Sequence, residues 1–220
     1  LFRQISCFYN HQMNFLEKIG IRVIFTILLF FSYSIIAETK KLLILGDSIS
    51  AGYGIDASAN WVSLLQNEFD KENLNITLIN SSVSGDTSIG GLSRIKTALR
   101  NFNPEFVLIE LGGNDALRGY PPKNIENNLS EIIKVVKKNG SKPFLMQIRI
   151  PPNYGKQYTI AFESVFQDLA MKENIPLIPF MLDEIALDED LMQVDGIHPN
   201  TKAQPKIAVF LKKELVSFLK

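Results

Sequence analysis

Apolar and polar positions alternate along the chain in two registers. Short apolar runs at 42–45, 76–79, 106–111, 144–148 and 176–178 are bounded by polar or turn-forming residues. Between and after them, apolar residues recur at helical spacing over 61–71, 89–100, 125–138, 159–173 and 203–219. A short run without alternation reads as a strand buried on both faces, as in a parallel sheet. Strand and helix taking turns therefore predicts an α/β fold, with helices covering both faces of the sheet and the loops after the strands gathered on one side. Punctuation agrees: Pro122 opens one helix, Asn139 and Gly140 end it, and Pro143 keeps it from resuming.

The first 37 residues differ in kind. Lys18 and Arg22 precede an apolar run over 23–36 that ends at Ala37, which is a basic region, a hydrophobic region and a small residue at a cleavage point. The run is shorter than the roughly 18 residues that a comfortable membrane span needs, so a Sec-type signal peptide is expected rather than an uncleaved anchor, with Met13 as the more natural start. The organisation expected is residues 1–37 as N-terminal extension and signal peptide, then one domain over 38–220. The product would be periplasmic or secreted, without a stable membrane anchor after cleavage.

Cleavage at that point changes the available chemistry. The lone cysteine, Cys7, lies in the leader, as does His11, so the exported chain would have neither a disulfide nor a thiol nucleophile, and histidine chemistry would have to use His198. With 220 residues, 46% of them hydrophobic, the chain can bury a sizeable core. Its 23 basic residues balance 23 acidic ones, which leaves no positive excess to neutralise a nucleic-acid backbone. Histidine is scarce and the carboxylates are scattered, so no metal-ligand cluster and no cofactor are expected.

Three loops and one pair carry candidate chemistry. The first apolar run stops in Gly46-Asp47-Ser48, which puts Ser48 at the carboxyl end of a strand, where open α/β sheets place ligands. Asp47 and Ser48 there either cap the next helix or present a nucleophile. Further on, Asp195 stands three residues before His198 with Gly196 between, a spacing that lets the carboxylate meet one ring nitrogen and leaves the other free as a base. Gly85 follows the second strand, and Gly112-Gly113-Asn114 the third. Each is either a plain turn or a donor loop; the amides of Ser48 and Gly85 with the Asn114 side chain would suit an oxyanion.

Taken in order, Gly46-Asp47-Ser48-Ile49-Ser50, Gly85, Gly112-Gly113-Asn114-Asp115 and Asp195-Gly196-Ile197-His198 resemble the four sequence blocks of the SGNH or GDSL hydrolases. The wider stretches Ser50-Ala51-Gly52-Tyr53-Gly54, Glu110-Leu111-Gly112-Gly113-Asn114-Asp115 and Met146-Gln147-Ile148-Arg149 resemble its subgroup of exported thioesterases, proteases, lysophospholipases and arylesterases. The resemblance implies a three-layer αβα, flavodoxin-like fold around five parallel strands. It implies Ser48 as nucleophile, His198 as base, Asp195 as its orienting acid, and Ser48, Gly85 and Asn114 as the oxyanion hole. The function implied is a serine hydrolase of acyl thioesters and carboxylic esters, with a small-molecule substrate and a monomeric chain.

Apolar loop residues Leu117, Tyr120, Pro121, Ile150, Tyr154 and Met181 either line an acyl groove or pack their own loops. A carbohydrate O-acetylesterase is the alternative within the enzyme class. A non-catalytic anion-binding module at the Gly46 turn is the alternative outside it, though Asp47 has the wrong charge for phosphate.

Overall fold

The computed structural model describes residues 39–219; the expected signal peptide lies outside them. The first strand, β1 (Lys40–Gly46), is followed by a short helix α1 (Ser48–Ala51), α2 (Trp61–Lys71), β2 (Ile76–Asn80), α3 (Ser88–Phe102) and β3 (Phe106–Glu110). Then come α4 (Gly113–Leu117), α5 (Pro122–Lys138), β4 (Lys142–Met146), α6 (Lys156–Glu173), β5 (Leu177–Ile178) and α7 (Gln204–Leu219). The strands form one sheet in the order β2-β1-β3-β4-β5, parallel at every pairing.

That order explains the layers. The chain steps one way from β1 to β2 and the opposite way from β2 through β5, so right-handed crossovers place the connecting helices on opposite faces. Correspondingly, α2 packs with α7, while α3, α5 and α6 pack in a row. The α/β expectation and the five-stranded parallel sheet hold. Leu42 to Leu45 in β1 and Val107 to Ile109 in β3 are fully buried, as strands covered on both faces must be.

Helix starts follow from side chains at the right places. The Asn60 carboxamide oxygen accepts from the Val62 amide at 2.6 Å to open α2, and Thr87 Oγ1 accepts from Gly90 at 3.3 Å to open α3; each satisfies an amide the helix leaves orphaned. Buried Ile125, Leu129, Ile132, Ile133 and Val136 on α5 form the stripe that turns this helix to the core.

One expectation needs correcting. The fourth strand runs Lys142–Met146 instead of 144–148, so Pro143 lies within it. The Lys142 amide donates toward β3, to Glu105, whereas the Leu145 amide donates to Pro176 on the β5 side. Pro143 thus faces the β5 side, where the pairing begins only at Leu145, and no ladder bond is lost. The short helices α1 and α4 follow Asp47 and Gly112; four or five residues carry no readable period.

β1 and β3 are neighbours whose connections leave in opposite directions. Between their carboxyl ends lies the switch point, the crevice where such sheets hold ligands.

Candidate active site

Ser48 is the first residue of α1, directly beyond β1 at that switch point. Asp47 shapes the turn: its Oδ1 accepts from the Ile49 amide at 3.0 Å. Ser48 is thereby raised above the sheet edge, 9% exposed. Its Oγ lies 2.8 Å from His198 Nε2, across 150 residues of sequence. On the other side of the ring, Nδ1 stands 2.7 Å from Asp195 Oδ2, while Asp195 Oδ1 accepts from the amides of Ile197 at 2.9 Å and His198 at 3.0 Å. Burial would raise the Asp195 pKa, but the His198 and Ile197 amides and the His198 ring outweigh it and hold it at about 2. The carboxylate therefore stays ionised and fixes the ring with Nε2 toward the hydroxyl.

The His198 loop is tied down from two directions. Gln193 donates through Nε2 to the carbonyls of Tyr53 at 2.8 Å and Pro199 at 3.1 Å, which joins the loop after α1 to the loop before α7. The Tyr53 ring lies against the imidazole, with centroids 4.6 Å apart. Nothing in the sequence marked Gln193; only the fold brings residues 53 and 193 together.

Gly85 has φ +78, a left-handed conformation open to glycine. Among the described residues no hydrogen bond leaves its amide or that of Ser48. The Gly85 carbonyl accepts from Arg118 Nη2 at 3.0 Å. Asn114, on α4, is brought to the same crevice: Nδ2 donates to Asp47 Oδ2 at 3.1 Å and to the Asp86 carbonyl at 2.9 Å. Both of its side-chain hydrogens thus face protein acceptors, one beside the serine turn and one beside Gly85.

Arg94 on α3 is a further member that sequence reasoning missed. Its Nε lies 2.7 Å from Asp86 Oδ2 and its Nη2 donates to the Gly46 carbonyl at 3.1 Å, so one guanidinium fastens the serine turn to the Gly85 loop. Asp115 anchors the other side, accepting from the Ser88 amide at 2.8 Å and the Ser88 hydroxyl at 2.6 Å. Burial raises the Asp115 pKa against these bonds.

The apolar loop residues divide. Ile150 and Met181 belong to the buried core. Tyr120, Pro121 and Tyr154 are exposed and Leu117 is half-buried. Tyr154 Oη donates to the Leu117 carbonyl at 3.3 Å, and Tyr158 Oη to the Tyr120 carbonyl at 2.6 Å, which gathers these loops at one rim. Among the described residues no group of three His, Cys, Asp or Glu side chains is placed to hold a metal ion.

The chain has relatives in sequence and in fold. Residues 44–204 match the model of the GDSL-like Lipase/Acylhydrolase family. An arylesterase of Vibrio mimicus is 44% identical over 195 residues, covering 88% of this chain and 98% of its own. Thioesterase 1/protease 1/lysophospholipase L1 of Escherichia coli K12 is 48% identical over 179 residues, covering 81% and 85%. The solved structure of a psychrotrophic esterase, EstA from Pseudoalteromonas sp., inhibited by monoethylphosphonate, superposes with TM-score 0.80 at 43% identity, over 82% of this chain and 98% of that one. The chain therefore belongs to the GDSL-like lipase/acylhydrolase family, as an SGNH-type ester hydrolase.

Proposed function

We propose that the protein hydrolyses carboxylic esters and acyl thioesters through an acyl-enzyme formed on Ser48. The observation that carries this reading is the continuous chain Ser48 Oγ, His198 Nε2, His198 Nδ1, Asp195 Oδ2, with links of 2.8 Å and 2.7 Å. Ser48 Oγ attacks the acyl carbon while His198 Nε2 takes its proton, and Asp195 stabilises the imidazolium that forms. His198 then returns the proton to the departing alcohol or thiol. Water, activated by the same ring, releases the acid and restores Ser48.

The negative oxygen of the tetrahedral intermediate would be met by the Ser48 and Gly85 amides, which have no other acceptor among the described residues. Asn114 would add a third donor by sharing a hydrogen now aimed at Asp47 or the Asp86 carbonyl. Ser48→Ala is expected to lower kcat by about a million-fold, as removing a triad nucleophile does, and to abolish covalent labelling by a phosphonate ester, with the thermal melt unchanged. Normal turnover in that variant would refute the mechanism.

For the acyl donor we infer fatty thioesters, lysophospholipids and aryl esters, because exposed Tyr120 and Tyr154 with Leu117 offer apolar surface at the rim. Rates on p-nitrophenyl esters that rise from acetyl to long acyl chains would agree; an acetyl preference would favour the carbohydrate O-acetylesterase alternative. We further infer export by cleavage after Ala37, which N-terminal sequencing of the mature protein checks. No helix among the described residues is long and apolar enough to cross a membrane.

A further inference from the structure

Beneath the nucleophile turn lie two carboxyl groups that the acyl-transfer steps do not use. Glu110 ends β3 and is paired in register with Gly46, the last residue of β1. Its side chain therefore reaches under the turn that follows Gly46. There Oε2 lies 2.6 Å from Ser50 Oγ and accepts from the Asp47 amide at 3.3 Å. The fit leaves no slack: a Cβ added to Gly46 would stand 2.6 Å from that same Oε2. Glu110 is 2% exposed and Asp47 5%. Neither makes an ion pair among the described residues.

Two buried carboxyls side by side without a paired cation do not both ionise. The groups that face them decide which keeps the proton. Asp47 accepts from the Ile49 amide and from Asn114 Nδ2, and His198 favours its charge, while Asp86 opposes it. Arg94 is engaged with Asp86 and the carbonyls of Ser81 and Gly46. Glu110 takes the Ser50 hydroxyl and the Asp47 amide, with no cation bonded to it among the described residues. Burial, and then Asp47, push the Glu110 pKa well up.

We propose that Glu110 is a positioning residue that works as an uncharged carboxylic acid, holding the Gly46–Ser50 turn so that Ser48 Oγ stays in line with His198. As a neutral acid it still accepts on Oε2 from the Ser50 hydroxyl and the Asp47 amide. Ionised, it would set a second buried negative charge against Asp47 and push on the turn that carries Ser48. The proposal rests on Ser48 being the nucleophile, which the Ser48→Ala and phosphonate-labelling experiments examine independently of Glu110.

The test compares Glu110→Gln, a neutral isostere, with Glu110→Ala on a soluble p-nitrophenyl ester. Glu110→Gln should rescue function, with kcat within about threefold of the parent, since a carboxamide supplies the same donor and acceptor. Glu110→Ala should lower kcat by about a hundredfold with KM nearly unchanged, the cost of a displaced reacting group. The carbonyl-stretch infrared band of a protonated carboxylic acid should be present in the parent at neutral pH and lost in Glu110→Gln. If Glu110→Ala does not fold, Ser50→Ala removes the same contact without a large cavity and should lower kcat about tenfold with KM unchanged. Equal losses in the Gln and Ala variants would mean that a carboxylate is needed. That result, parental kcat in the Ala or Ser50→Ala variant, or absence of the infrared band would each overturn the proposal.

Discussion

At the scale of single residues the site depends on charges held in fixed states. Asp195 is kept at about pKa 2 by the His198 and Ile197 amides and the His198 ring, against its desolvation, so it orients the imidazole throughout the neutral range. Asp195→Asn keeps the shape but inverts the hydrogen-bond demand on Nδ1, and kcat is expected to fall by about four orders of magnitude, as for other triads that lose the acid's charge. Steady-state kinetics at constant pH would measure it. Asn114→Ala, which removes one proposed oxyanion donor, should cost about a hundredfold to a thousandfold in kcat. Asn114 was legible in the sequence because it follows a strand in a short block, and Asp195 because of its spacing from His198. Glu110 and Arg94 were not singled out, since their importance comes from strand register and helix packing.

At the scale of elements, β1 and its turn set the tolerance of the site. The Cβ of Gly46→Ala would meet Glu110 Oε2 at 2.6 Å, Ser50 Cβ at 2.7 Å and Ser82 Oγ at 2.8 Å. Overpacking of this kind costs about 1–3 kcal/mol, and here it displaces the nucleophile turn as well. Gly46→Ala is therefore expected to lower both the midpoint of a denaturant melt and kcat. The Pro143 strand teaches the converse lesson. Read locally, the proline bars the helix from resuming; in the sheet it is harmless because β5 is too short to reach it. No local pattern contains the length of a neighbouring strand.

At the scale of the whole molecule, pH acts on stability through the buried carboxyls. Burial, ahead of all other causes, raises Asp47 from 3.8 to about 6. Between those values the folded chain retains a proton that the unfolded chain has released, so unfolding free energy falls as pH rises through the window. Glu110 extends the same trend upward. Asp195 has the opposite sign, but its window lies between about 2 and 3.8 and is complete before the Asp47 window opens. Thermal melts across mildly acidic to neutral pH should show the Asp47 and Glu110 contribution declining with pH, and Glu110→Gln should flatten that decline. An unchanged slope in the variant would contradict the assignment of charge.

The sequence by itself determined the alternation of strands and helices, the α/β class and the candidates for the reacting side chains, because periodicity and short blocks are properties of neighbours along the chain. Tertiary structure alone decided that residues 48 and 198 lie 2.8 Å apart, that Gln193 reaches the Tyr53 carbonyl, and that Glu110 lies buried beneath Gly46. Those facts depend on strand order, register and exclusion of water, which arise only when distant segments share one sheet edge and one core.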